Sequence, residues 1–220
     1  LSTKSWNKGA DAFANGKKVL FDGAANAEVA LNDVTVSPET VVAKGDANVT
    51  ITGTGSIGGE GSVNKGGEGT LALNTVNKYT GATVLHNGTL AFNSLKNGGV
   101  ESSLGASTNF AQNWVFDGGV YKYTGASTST DRAAQIKNKT EFNVATKGAV
   151  VTMNGTFEGD GDLAFNGEGQ VTIGTNKFFG YKGATILRGG TVYLSTTDIA
   201  KAGIGSSSKL VMAGGELKTK

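Results

Sequence analysis

The sequence predicts an all-β chain wound as a parallel β-helix, a solenoid of about nine to eleven short coils. Three observations predict it. Glycine supplies 35 of 220 residues with a single proline and no triplet period, far above the roughly 7% of average usage. The glycines bound short apolar/polar alternations, as in Gly67–Phe92. The stretch then returns about one hundred residues later: Tyr181-Lys182-Gly183-Ala184-Thr185 matches Tyr79-Thr80-Gly81-Ala82-Thr83, and Gly190-Thr191 matches Gly88-Thr89. Self-similarity at a fixed period is the mark of stacked units.

Taken in order, Asn15-Gly16 predicts a sharp turn, because both residues tolerate positive φ, and Val19-Leu20-Phe21 a strand after it. Val29, Leu31, Val34 and Val36 alternate; Pro38 falls in a loop; Val41-Val42 and Val49–Thr52 are the next strands. Gly55–Gly69 and Gly155–Gly169 pair at an offset of 100, with Gly59/Gly159, Gly61/Gly161 and Gly69/Gly169 identical. Farther on, Ser103–Ser107 resembles Gly203–Ser207, and Trp114–Gly119 resembles Leu210–Gly215. The internal repeat therefore covers 55–120 and 155–217 of one module spanning 1–220. Glycine-bounded strands are too closely spaced for helices of about 10–12 residues; only Asp131–Lys137 and Ser195–Lys201 are compatible with a helical turn or two. Short strands at this spacing also admit an antiparallel sandwich pair. The repeat and the scarcity of hairpin signals favour the solenoid, with coils of roughly 20–25 residues. Inward positions are expected at Leu71/Val171, Leu73/Ile173, Val84/Ile186, Leu90/Val192 and Phe92/Leu194, and outward ones at His86/Arg188 and Ala91/Tyr193.

Composition excludes several classes. Twenty basic and eighteen acidic residues give a net charge of +2 without clustering, so no basic stripe for nucleic acid exists. No apolar run approaches the roughly 20 residues of a membrane span. Cysteine is absent, which removes disulfides and thiolate metal sites and fits an exported chain. The chain starts at Leu1, as expected of a piece of a longer protein whose targeting elements lie elsewhere.

The pattern Gly-x-Gly-Thr-Leu-x-Leu…Asn-x-Tyr-Thr-Gly-x-Thr-Val…Gly-Thr-Leu within Gly67–Phe92 resembles the autotransporter-associated β-strand repeat of bacterial passenger regions and other large secreted proteins. Ser102–Arg132, from Ser-Ser-Leu-Gly-Ala to Ser-Thr-Asp-Arg, is similar to the segment that follows that repeat. The second copy is degenerate, with Phe178-Phe179-Gly180 inserted before Tyr181. The resemblance implies a right-handed β-helix, export, and an extracellular or cell-surface setting, and it implies no catalytic residues.

Candidate chemistry is sparse. His86 is the sole histidine, and acid–base or triad chemistry needs partners around it, so it reads as a surface residue. Glu158-Gly-Asp-Gly-Asp162 and Gly59-Glu60-Gly61 have the look of calcium turns, but such turns occur in immediate tandem, and here they read as solvated turn acids. Asp160 and Asp162 lack the surroundings of a glycosidase pair. No catalytic residue, metal site or cofactor is expected. The aromatic insertion Phe178-Phe179 with Tyr181, and secondarily Tyr121 and Tyr123, is the candidate carbohydrate platform, since ring faces suit sugar rings. The expected function is a non-catalytic extracellular binding or spacer module, with polysaccharide or surface glycan and other domains of the same polypeptide as partners. A passenger segment of an autotransporter or adhesin, and a fragment of a polysaccharide lyase or hydrolase, are the alternatives.

Overall fold

The computed structural model describes residues 14–174, 180–195 and 209–220. Apolar residues at every second position, broken by glycine every few residues, produce short strands that cannot bury a face alone and so stack on the next coil. Three sheets result. An eight-stranded sheet runs from Lys18–Phe21 to Gly180–Tyr181, and a nine-stranded sheet from Ala27–Ala30 to Leu210–Met212. The third face holds two pieces, Thr35–Val36 with Ser56–Ile57, then five strands from Thr128–Thr130 to Glu216–Thr219. The ladders between these strands are parallel, for example Lys18↔Thr40↔Ser62. Such ladders make a parallel solenoid of about eight turns and set the antiparallel sandwich aside. Helix among the described residues is one 3₁₀ turn, Ala111–Asn113.

The coil length is written in side-chain bonds as well as ladders. Asn26 Oδ1 accepts the Asn48 N–H at 2.9 Å, and Asn48 Oδ1 accepts the Thr70 N–H at 3.0 Å, each 22 residues on. One corner is a glycine stack. Gly88 sits at φ +68°, and a Cβ on it would lie 2.4 Å from the Gly67 carbonyl oxygen and 2.6 Å from Lys65 Nζ. Only glycine accepts that backbone and that approach.

The interior is a registered column: Val49, Leu71, Leu90, Tyr121, Phe142, Phe165 and Leu187 are successive partners in the second sheet, all buried. The middle coils add rings from the first sheet. Trp114 meets Tyr121 edge-on at 5.8 Å and Phe157 at 6.0 Å. Burial of each large side chain contributes roughly 1.5–3 kcal/mol.

Two expectations are corrected. Val84 and Ile186 point outward, while Thr83, Leu85, Thr185 and Leu187 point in. The apolar pattern missed this because an inward threonine needs only one partner: Tyr79 Oη lies 2.7 Å from Thr83 Oγ1, and Tyr181 Oη 2.5 Å from Thr185 Oγ1. The same bond in both copies explains the spacing of Tyr-x-Gly-x-Thr. Asp131–Lys137 is not helical. It turns a corner and enters the strand Ala134–Ile136, whose end residues face the core. For Ser195–Lys201, residues 196–201 lie outside the described residues.

Candidate binding site

Most coils take about 22 residues, but His86 and Asp117, at matching corners of successive coils, are 31 apart. The additional residues form a loop over 93–113 where the third sheet is interrupted. A solenoid places its insertions on one face, often the binding face. Two buried side chains splice this loop into the ladder.

Asn77, fully buried, does with its amide what a strand would do with its backbone. Its Oδ1 accepts the Ile57 N–H at 2.9 Å and the Thr75 hydroxyl at 2.8 Å, and its Nδ2 donates to the Ser103 carbonyl at 2.9 Å. Its backbone pairs antiparallel with Ser102. Arg132, 2% exposed, reaches back under the loop. Nε donates to the Lys96 carbonyl at 3.0 Å, Nη1 to Ser107 Oγ at 2.8 Å, and Nη2 to the Gly105 carbonyl at 2.7 Å. These acceptors are neutral, and burial draws the guanidinium below the ordinary arginine range. It remains a cation, fitted to its fork of carbonyls.

Beneath the loop lies an open groove of about 380 Å³ lined by Lys96, Asn97, Val100, Ser127, Thr128 and Ser129. Its walls are fixed. Thr128 donates to the Leu95 carbonyl at 2.7 Å, Thr130 to the Lys96 carbonyl at 3.0 Å, and Ser127 Oγ accepts the Val150 N–H at 3.0 Å. Val100 and Phe110 protrude from the same loop, 49% and 61% exposed.

The expected aromatic platform is not where ring faces were sought. Tyr121, Tyr123 and Tyr181 are 0%, 2% and 0% exposed, so their rings form core and offer no stacking surface. Tyr121 donates to the Val115 carbonyl at 2.8 Å and Tyr123 to the Ala126 carbonyl at 2.6 Å. Polar tips satisfied at the wall let whole rings sit inside, and nothing in a Tyr-Lys-Tyr string reveals that. Phe178 and Phe179 lie outside the described residues.

His86 is at the surface, with Nδ1 2.8 Å from Asp117 Oδ2, while Asn138 donates to Asp117 Oδ1 at 2.6 Å. The turn acids have structural work: Asp162 Oδ1 accepts the Ala184 N–H at 2.8 Å, and exposed Asp160 pairs with Lys182 at 3.0 Å. Among the described residues no group of three His, Asp or Glu side chains converges as a metal site would. No helix among them is long and apolar enough to cross a membrane. Sequence reasoning missed Asn77 and Arg132 as anchors, although both lie in the motifs quoted above. It also missed Glu141, on the outer face of the second sheet, which binds Arg188 at 2.8 Å and Asn166 at 2.9 Å.

No family model matches the chain, and no solved structure matches it. The chain is 41% identical over 119 residues, 53% of its length, to the adhesin BmaC autotransporter of Brucella suis biovar 1 (strain 1330). It spans 4% of that protein's length. This likeness to an autotransporter adhesin, carried on a parallel solenoid, agrees with the autotransporter-associated β-strand repeat that Gly67–Phe92 resembles.

Proposed function

We propose that the chain is a passenger-type segment of an exported bacterial surface adhesin, acting by binding and without catalysis. The observation that carries this is the likeness of half the chain to an autotransporter adhesin. The architecture supports it: about eight stacked turns make a stiff rod that holds surface groups at fixed spacing. Right-handed winding, a single module over 1–220 and a count of nine to eleven coils belong to the same proposal.

Its ligand is a polysaccharide or cell-surface glycan, bound on the outer surface of the rod. With the tyrosines internal, the groove under the 93–113 loop replaces them as the site. Rigid walls, with the polar ends of Lys96 and Ser129 at the opening, suit a ligand rich in hydroxyls.

Protease added to intact cells carrying the full-length protein tests display. Digestion within this segment is expected, and complete protection would overturn surface exposure. A polysaccharide panel tests the ligand class. Retention without release of shortened products is expected. Retention of nothing overturns glycan binding, and new chain ends in the product overturn the non-catalytic role.

A further inference from the structure

We propose that the outer face of the third sheet, continuing out of the groove, binds an acidic linear polysaccharide, with Lys96 taking its carboxylate or sulfate. This rests on the glycan-binding reading above and goes further in naming the surface and the charge of the ligand.

The first observation is register. Ser129, Thr152, Thr172, Tyr193 and Lys218 are successive partners along the third sheet. Each stands on the outward side of its strand, between inward neighbours such as Val151 and Met153, Val171 and Ile173, or Val192 and Leu194. Strands lie about 4.8 Å apart, so the row is a straight track along the rod. It begins in the groove, because Ser129 also lines it. Hydroxyls both donate and accept, as the hydroxyls of a sugar chain do. Tyr193, with its ring on the outer side and partly exposed, adds an aromatic surface of the kind that packs against sugar rings.

The second observation is charge. Lys96 is exposed and has no ion pair among the described residues. Its base is held rigid because its carbonyl accepts from both Thr130 and Arg132. Two acids adjoin the groove wall in sequence, and both are occupied: Glu101 pairs with Lys78 at 3.7 Å, and Asp131 Oδ1 takes the Gly98 N–H at 2.8 Å and its Oδ2 the Asn109 amide at 3.3 Å. At the far end Lys218 is neutralised by Glu216 at 2.9 Å. Among the described residues the track therefore has an unpaired cation, Lys96, at the groove, and hydroxyls beyond it, of which Thr172 also accepts from the Gln170 amide at 2.8 Å. An anionic sugar unit at Lys96 and its neighbours along the row match that order.

The test uses the complete 220-residue chain against heparin, alginate and dextran, with polyaspartate as competitor. Heparin separates sulfate recognition from the carboxylates of alginate, and dextran is neutral. Expected are binding of at least one acidic glycan that weakens as salt rises, a loss of at least about tenfold in Lys96→Glu, and a clear loss in Tyr193→Ala. Lys122→Glu, on the outer face of the second sheet, is the control and should bind as the parent does. Hydrogen-exchange protection of the core strands checks that each variant is folded. Equal retention of dextran, undiminished binding by Lys96→Glu, or full displacement by polyaspartate overturns this inference while glycan binding stands. Retention of none of the three glycans, nor of any in the wider panel, overturns both.

Discussion

Arg132 shows how one side chain can hold a whole loop. Its guanidinium serves three loop carbonyls and one hydroxyl, and a bond to a charged partner is worth roughly 1.5–3 kcal/mol where removal leaves buried groups unpaired. Arg132→Met is therefore expected to raise amide exchange across 94–107 by at least about tenfold, with little change in strands two coils away; uniform protection would show that the loop stands without it. Gly88 makes a sharper case. Gly88→Ala places a side chain at positive φ, costing roughly 1–2 kcal/mol, and drives its Cβ against the carbonyl of Gly67, adding about 1–3 kcal/mol for overpacking. Urea unfolding should register the sum, and a loss below about 1 kcal/mol would mean the corner can yield. At this scale the sequence was legible where chemistry is local. The glycine turns and the outward His86 could be read from spacing alone. Arg132 could not, because the atoms it binds lie 25 to 36 residues away, and the buried tyrosines could not, because a ring's polar tip decides whether it may go inside.

Among elements, the informative case is the inward Thr83, an apolar position occupied by a hydroxyl. Alternation of apolar residues placed Leu71, Leu73, Leu90 and Phe92 on the correct face, since those strands carry aliphatic or aromatic groups at both inward positions. It failed at Thr83–Leu85, where Val84 is the more apolar choice but Tyr79 has already supplied the threonine's partner. Tyr79→Phe leaves the Thr83 hydroxyl without that bond and should destabilise by about 1–3 kcal/mol, read as a drop in melting temperature. The interior column gives a second expectation. Leu90→Asp puts a carboxylate between Leu71 and Tyr121, where it must either disrupt the coils or take up a proton. Exchange should rise first in the coils above and below, because each coil rests on its neighbours. An unaltered melting profile would contradict the inward placement.

For the whole molecule, alkaline pH is the natural probe. Burial holds the hydroxyls of Tyr79, Tyr121 and Tyr181 well above the ordinary tyrosine value of 10.0. Below pH 10 folded and unfolded chains both keep these protons, and the stability they report is fully present. Above it the unfolded chain releases protons that the folded chain retains, so stability falls as pH rises. Lys65 acts in the opposite sense: burial lowers it from 10.5, and just below that value the unfolded chain holds the extra proton, so its contribution rises with pH. Three tyrosines outweigh one lysine. The melting temperature is expected to fall steeply above pH 10, with tyrosinate absorbance appearing only as the coils open; tyrosinate absorbance in the intact fold would refute the burial argument. The global architecture was legible because repetition is a long-range signal that survives in a single chain. The 31-residue coil was not, since a loop anchored by buried polar groups carries no periodicity.

That long coil also gives the rod an uneven response to load. Pulling on the two ends of a solenoid should peel turns away one after another, because each turn's ladder bonds reach only adjacent turns. The peeling front must then cross the place where Asn77 and Arg132 tie the loop to coils on either side, 20 to 36 residues distant. Several buried bonds have to fail there together instead of in sequence. A rod built on this segment would lengthen readily from its ends and stall at the loop, keeping the groove intact while neighbouring turns give way to shear.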